Sequence, residues 1–300
     1  MGKLIYYHGI YSSCPELSFS NPAFTLKDFE RQIRLLSRRY ELISLDEALA
    51  RSTEKDGLKG TLCVTTDDGL ADNLRFAEIL ENHQARFTLF LNNDFIDNRN
   101  LMWRNKVLLA GNRLDARQQA RLIRSLSEKY RLPHPAHAVT LLDWSQYWPM
   151  ALKDELADQL WQEGGLGTVA EFLEARKPYL TRAQIAEMVR KGHAIGAHTR
   201  SHPDCSLLSW EQLREETVDA VAALSALFDR PVRFLSYPFG RRPRPDWDRR
   251  VREESRTLKA TLGITPRLRS GELEEREDME KPFWKSLFYF YLMPLKRALF

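Results

Sequence analysis

The stretch Thr61-Leu62-Cys63-Val64-Thr65-Thr66-Asp67-Asp68-Gly69 decides how the chain reads. Its first six residues are β-favouring and uncharged, which suits a strand buried on both faces. Two carboxylates and a glycine follow at once, where such a strand must turn. In parallel β/α folds, catalytic groups sit where strands end and loops begin. Working outward, Leu74, Ala77, Ile79 and Leu80 continue as a helix, and residues 86–91 read as the next strand. Upstream, residues 4–7 form a short strand ending at His8. Residues 25–40 place Leu26, Phe29, Ile33 and Leu36 at helical spacing, with Thr25 and Asp28 as a capping box. Residues 42–45 look like another strand. The alternation predicts a parallel β/α architecture.

The rhythm breaks between about 98 and 178, a stretch carrying Trp103, Trp144, Trp148 and Trp161 and a strongly helical run over 115–130. We read it as a helical insertion near the mouth of the barrel. The plainer reading is a helical subdomain with its own small core. The rhythm resumes at Thr181, with Gln184 completing a capping box, and a strand over 193–198 follows. A helix from Ser209 to Asp229, a strand over 232–237, a helix over 246–255 and a last strand over 260–264 complete the pattern. Residues 272–280 are strongly acidic. The tail 281–300 is basic and aromatic, with Lys281, Lys285, Lys296 and Arg297 and no acidic residue.

Of the 300 residues, 43% are hydrophobic, enough for a substantial core, and the whole length is taken as a single domain bearing the insertion. The net charge of +4 is too small to argue for nucleic acid, and no basic run is interleaved with aromatics. Cys14, Cys63 and Cys205 match no zinc knuckle or redox pair and suit a reducing compartment. The first residues carry no export signal and no stretch is long and apolar enough to span a membrane, so a cytoplasmic protein is expected. The tail either packs its aromatics on the barrel or makes peripheral contact with an anionic membrane face.

Three clusters fall at strand ends: Thr66-Asp67-Asp68-Gly69, His198-Thr199-Arg200-Ser201-His202 and Tyr237-Pro238-Phe239-Gly240. One carboxylate and two imidazoles make a facial ligand set for a divalent metal, with positions left open for water and substrate. Asp68, His198 and His202 fit this set, with zinc the first choice of ion. Asp67, on the same turn, is then available as a base for the attacking water. The departing amine needs a proton, so a general acid must stand opposite Asp67. Each residue also has a plainer reading: the aspartates cap the following helix, the histidines are buried and satisfied, and Arg233 is a surface charge.

These clusters resemble the polysaccharide deacetylase (NodB-homology) family of carbohydrate esterases. Thr65-Thr66-Asp67-Asp68-Gly69 is similar to T-F-D-D-G, His198 to His202 to H-[ST]-x-x-H, and Arg233 to Pro238 to R-x-x-x-x-P. Lys191 to His198 resembles the approach K-G-H-E-I-G-S-H. The resemblance spans about 4–264, apart from the insertion. It implies a distorted (β/α) barrel of about seven strands and a metal-dependent hydrolase removing an N-acetyl group from an amino sugar. It implies Asp67 as base, Asp68, His198 and His202 as ligands, Arg233 orienting Asp67, the Tyr237 backbone N–H in an oxyanion hole, and Pro238 in substrate binding. The family's late L-x-H histidine is absent, since no histidine follows His202. A subgroup resembling the biofilm poly-N-acetylglucosamine deacetylases carries its acid in an N-terminal Y-H segment, which Tyr7-His8-Gly9 matches. His8 is therefore the expected acid. The saccharide could be lipid-linked, in cell-envelope or exopolysaccharide synthesis. The rivals are an inactive saccharide-binding protein on the same fold and an amidohydrolase of a non-sugar amide.

Overall fold

The computed structural model describes residues 2–12, 14–18, 24–264, 276–281 and 283. The tail 281–300 therefore lies outside the described residues except for Lys281 and Phe283. Two compact units emerge: residues 1–97 with 178–300, and residues 98–177.

The first unit is built on one parallel sheet. Strands β1 (Lys3–Tyr7), β3 (Thr61–Thr66), β4 (Phe87–Leu91), β5 (Ala194–Ala197), β6 (Phe234–Ser236), β7 (Ala260–Leu262) and β8 (Glu277–Asp278) lie in the order β7-β6-β5-β4-β3-β1-β8. A two-residue strand, β2 (Glu41–Leu42), pairs separately with β3. The Arg276 N–H donates to the Gly263 carbonyl at 3.2 Å, linking the chain beside β7 to the start of β8. The fold is the expected distorted (β/α) barrel, with seven strands along the main path. β3 is buried at all six positions, as its uncharged run requires.

Helices begin where the sequence supplies caps. Thr25 with Asp28, Thr181 with Gln184 and Ser209 with Gln212 all form reciprocal capping boxes. Residues 42–45 differ from expectation. Only Leu42 belongs to a strand, and Ser44 accepts from the Glu47 N–H to start the helix Leu45–Arg51. The helix after β3 spans Asn73–Asn82 and its N-cap is Asp72, so neither Asp67 nor Asp68 caps it. Inside the barrel, Leu4, Cys63, Phe90, Phe234 and Leu262 pack with Ile43, Leu45 and Ala48. Gly196 makes room for one of these rings: a Cβ there would lie 2.4 Å from Phe90. Three structural thiols, Cys14, Cys63 and Cys205, are buried and form no disulfide.

The second unit is helical, including Trp103–Arg113, Ala116–Tyr130, Lys153–Glu163 and Val169–Arg176. Its core holds Trp103, Trp144, Trp148 and Trp161, each at most 3% exposed. The Trp144 and Trp148 rings meet edge to face at 5.2 Å, a favourable aromatic geometry. Among the described residues, no helix is long and apolar enough to cross a membrane.

Candidate active site

Parallel pairing in the first unit brings distant residues to one end of the sheet. Tyr7 is in register with Thr66, and the Asp67 N–H continues the ladder to the Tyr7 carbonyl at 2.9 Å. His8 and Asp67 thus leave neighbouring strands at the same level. His198 follows β5 in the same way, its N–H donating to the Leu91 carbonyl at 2.8 Å. Asn73 joins the first two loops: its Oδ1 accepts from the Thr66 hydroxyl at 3.0 Å, and its Nδ2 donates to the His8 carbonyl at 2.8 Å.

Asp68, His198 and His202 come together. Asp68 Oδ1 lies 3.5 Å from His198 Nε2 and 3.4 Å from His202 Nε2. One ligand atom from each of the three lies within 4.8 Å of the others. Ligands bound tetrahedrally to zinc at its usual bond lengths stand about 3.3 Å apart, so these edges fit such an ion. Asp68 Oδ1 is buried and accepts no hydrogen bond among the described residues. Burial, with Asp67 and Glu280 nearby, raises the Asp68 carboxyl above its ordinary range despite His8 and His198. A cation at this point would relieve that cost. His198 is aimed by its far nitrogen, Nδ1, 2.8 Å from the Ser236 carbonyl, the arrangement that orients metal-binding imidazoles. Left-handed backbone recurs here: φ is 68° at Asp68, 66° at Thr199, 60° at His202 and 58° at Phe239. Such strain is a feature of functional sites.

Asp67 stands beside the ligand set, its Oδ2 3.9 Å from His198 Nε2, and is held by a partner of its own. Arg276 binds both its oxygens, Nη1 to Oδ1 at 2.7 Å and Nη2 to Oδ2 at 2.8 Å. The same guanidinium donates to the Thr65 hydroxyl at 3.1 Å, to the Gly263 carbonyl at 3.4 Å and to Ser236 Oγ. Its Cζ lies 4.9 Å from the centre of the Tyr6 ring and 5.1 Å from that of Phe90. Burial alone would raise the Asp67 carboxyl, but Arg276, with help from His198 and His8, brings it down to about 2. The group is therefore an anion at neutral pH. Thr65, where the resembling motif has phenylalanine's neighbour, supplies one of the hydroxyls that hold Arg276.

His8 is gripped by Glu280. One carboxylate oxygen accepts the His8 and Gly9 N–H groups at 2.5 and 2.9 Å, and the other lies 3.2 Å from His8 Nδ1. Burial works to lower the imidazole, but Glu280, Asp68 and Asp67 override it and raise its pKa to about 10. The His8 side chain stays 28% exposed.

Two expected roles are corrected. Arg233 does not orient Asp67: it stands before β6, at the strand end opposite the site, and binds Asp46 at 3.0 Å with its side chain 48% exposed. Arg276 occupies that place instead. The Tyr237 N–H is not available to an oxyanion, because it extends the β6–β7 pairing to the Leu262 carbonyl at 3.0 Å. The Tyr237 hydroxyl is turned inward onto Asp248 at 2.8 Å. Pro238 is buried at the head of the turn Pro238–Gly240, and the next ring, Phe239, meets His202 edge-on at 4.7 Å. Sequence reasoning missed Arg276 and Glu280. The signal available was a lone arginine inside the acidic run 272–280.

Known proteins share this fold. The family model described as polysaccharide deacetylase matches residues 54–263. Among solved structures, IcaB from Ammonifex degensii is 16% identical with a TM-score of 0.61, covering 96% of this chain and 95% of that one. The Streptococcus pyogenes deacetylase PplD, in complex with acetate, is 17% identical with a TM-score of 0.58, covering 93% and 92%. A de-N-acetylase from Aggregatibacter actinomycetemcomitans is 10% identical with a TM-score of 0.54, covering 95% and 98%. No curated protein sequence matches significantly. With its matched region extending over more than two thirds of the sequence and its fold shared by these structures, the chain belongs to the polysaccharide deacetylase family.

Proposed function

We propose that the protein is a metal-dependent N-deacetylase of an amino sugar within a polymeric, oligomeric or lipid-linked saccharide. The observation that carries this reading is the meeting of Asp68 Oδ1 with both imidazole Nε2 atoms beside an arginine-held carboxylate. Asp68, His198 and His202 would hold a divalent ion, zinc being the first choice. When bound, such an ion lowers the pKa of water and polarises an amide carbonyl. Asp67, anionic and fixed by Arg276, takes the proton of the attacking water at a carboxylate oxygen. His8, protonated through Glu280, delivers a proton from its ring to the departing amine nitrogen. Pro238 and the Phe239 ring would shape the rim against which the sugar rests.

The amino-sugar substrate rests on family membership, together with relatives named as deacetylases. A cytoplasmic location at the inner membrane face rests on sequence alone: three cysteines that match no zinc knuckle or redox pair, and the basic aromatic tail.

Purified protein is expected to release acetate and free amine from N-acetylglucosamine oligomers. A chelator should abolish turnover, and added zinc should restore it. Turnover that survives chelation contradicts the mechanism. Turnover confined to non-sugar amides contradicts the substrate, and inactivity towards every amide favours a binding protein.

A further inference from the structure

Between the two ligand imidazoles the chain runs Thr199-Arg200-Ser201, and this short loop is held from outside. Thr199 and His202 both have left-handed backbone, which costs about 1–3 kcal/mol per residue and persists only where the surroundings hold it. On one side, Asn92 Nδ2 donates to the His198 and Thr199 carbonyls, and the Asp94 N–H donates to the Arg200 carbonyl at 3.1 Å. On the other side, a single residue takes three donors. The Glu216 carbonyl accepts the Arg200 N–H at 3.0 Å, and its carboxylate accepts the Ser201 N–H at 2.8 Å and the Ser201 hydroxyl at 2.5 Å.

Glu216 presents both groups from a π-helical turn, Glu215–Asp219, set between the α-helical segments Trp210–Arg214 and Ala220–Leu227. Turns of this kind are rare and recur at functional sites. Ser201 immediately precedes His202, so a shift of Ser201 moves the second imidazole directly. None of the three sequence clusters includes Glu216.

We propose that Glu216 is a positioning residue for the metal site. By holding the Arg200 and Ser201 N–H groups and the Ser201 hydroxyl, it fixes the spacing of His198 and His202 on which ion binding depends. The proposal rests on the metal-site reading above.

The test measures zinc affinity of the full chain by competition with a chromophoric chelator, alongside the melting temperature of the metal-free protein. Glu216→Ala should bind zinc about 10-fold more weakly, the low end of what losing a direct partner of a metal ligand costs, because Glu216 acts one residue away from His202. Its metal-free melting temperature should move by only a few degrees. Glu216→Gln keeps one oxygen to accept from Ser201 and should recover most of the affinity. Ser201→Ala, which loses only the hydroxyl bond, should show a smaller loss than Glu216→Ala. Wild-type affinity in Glu216→Ala overturns the proposal, as does a Glu216→Gln variant no better than Glu216→Ala. If Glu216→Ala does not fold, unchanged affinity in Ser201→Ala overturns it. A wild-type protein that binds no zinc refutes the metal-site reading itself, a result distinct from all of these.

Discussion

Arg276→Met is expected to cost about 3–5 kcal/mol of stability, the usual penalty for removing one partner of a buried ion pair. The guanidinium is fully buried, and Asp67, only 3% exposed, keeps a charge that no longer has its main partner. Turnover should fall as well, through the base. With Arg276 gone, burial dominates and the Asp67 carboxyl rises from about 2. The base then protonates at higher pH, and the acid limb of the rate profile moves upward. The stability consequence has a definite sign. In the wild type the depressed carboxyl stabilises the fold above its ordinary value near 4, and this contribution is lost as pH falls through about 2. The variant should lack that contribution, so the difference between the two should shrink in acid. Arg276→Lys should not restore the wild type, because an ammonium cannot serve both carboxylate oxygens in parallel. Denaturant unfolding at pH 7 and pH 3, with rate profiles, checks these expectations. Stability within 1 kcal/mol of wild type and an unmoved profile would contradict them.

Asp67→Asn isolates the base from the ligands. The amide keeps the side chain's shape and one acceptor for Arg276, but it cannot take a proton. Turnover should fall by about 10²–10⁴, the range that general-base catalysis supplies. Bound metal should remain, since Asp68 and not Asp67 faces both imidazoles at about 3.5 Å. Parallel measurement of kcat and metal content decides the matter. Loss of metal together with activity would place Asp67 among the ligands, and a kcat within tenfold of wild type would remove it from the chemistry.

The sequence exposed features whose signal is local or periodic. An uncharged β-run followed by Asp-Asp-Gly marks β3 and its turn, capping boxes mark helix starts, and the four-residue spacing of His198 and His202 marks one loop. The position of His8 was legible too, because a strand ending at Tyr7 sets the next residue at the mouth if β1 pairs with β3. What stayed hidden depends on contacts across the whole chain. Arg276 and Glu280 meet Asp67 and His8 from more than 200 residues away. They flank β8, a strand of two residues with no periodic signature. Arg233 misled because a motif gives order along the chain and not direction along a strand. Five residues before Pro238 in sequence can mean the opposite end of β6. Tyr237 misled for a different reason: its place at the strand end was right, but its N–H belongs to the sheet.

Metal analysis of the wild type beside His198→Ala, after equilibrium dialysis against zinc, reads the ligand set most directly. One equivalent in the wild type and almost none in the variant is the expected result, with X-ray absorption reporting only nitrogen and oxygen neighbours. Equal loading of the two proteins, or sulfur in the coordination sphere, would mean that the ion, if any, is held elsewhere.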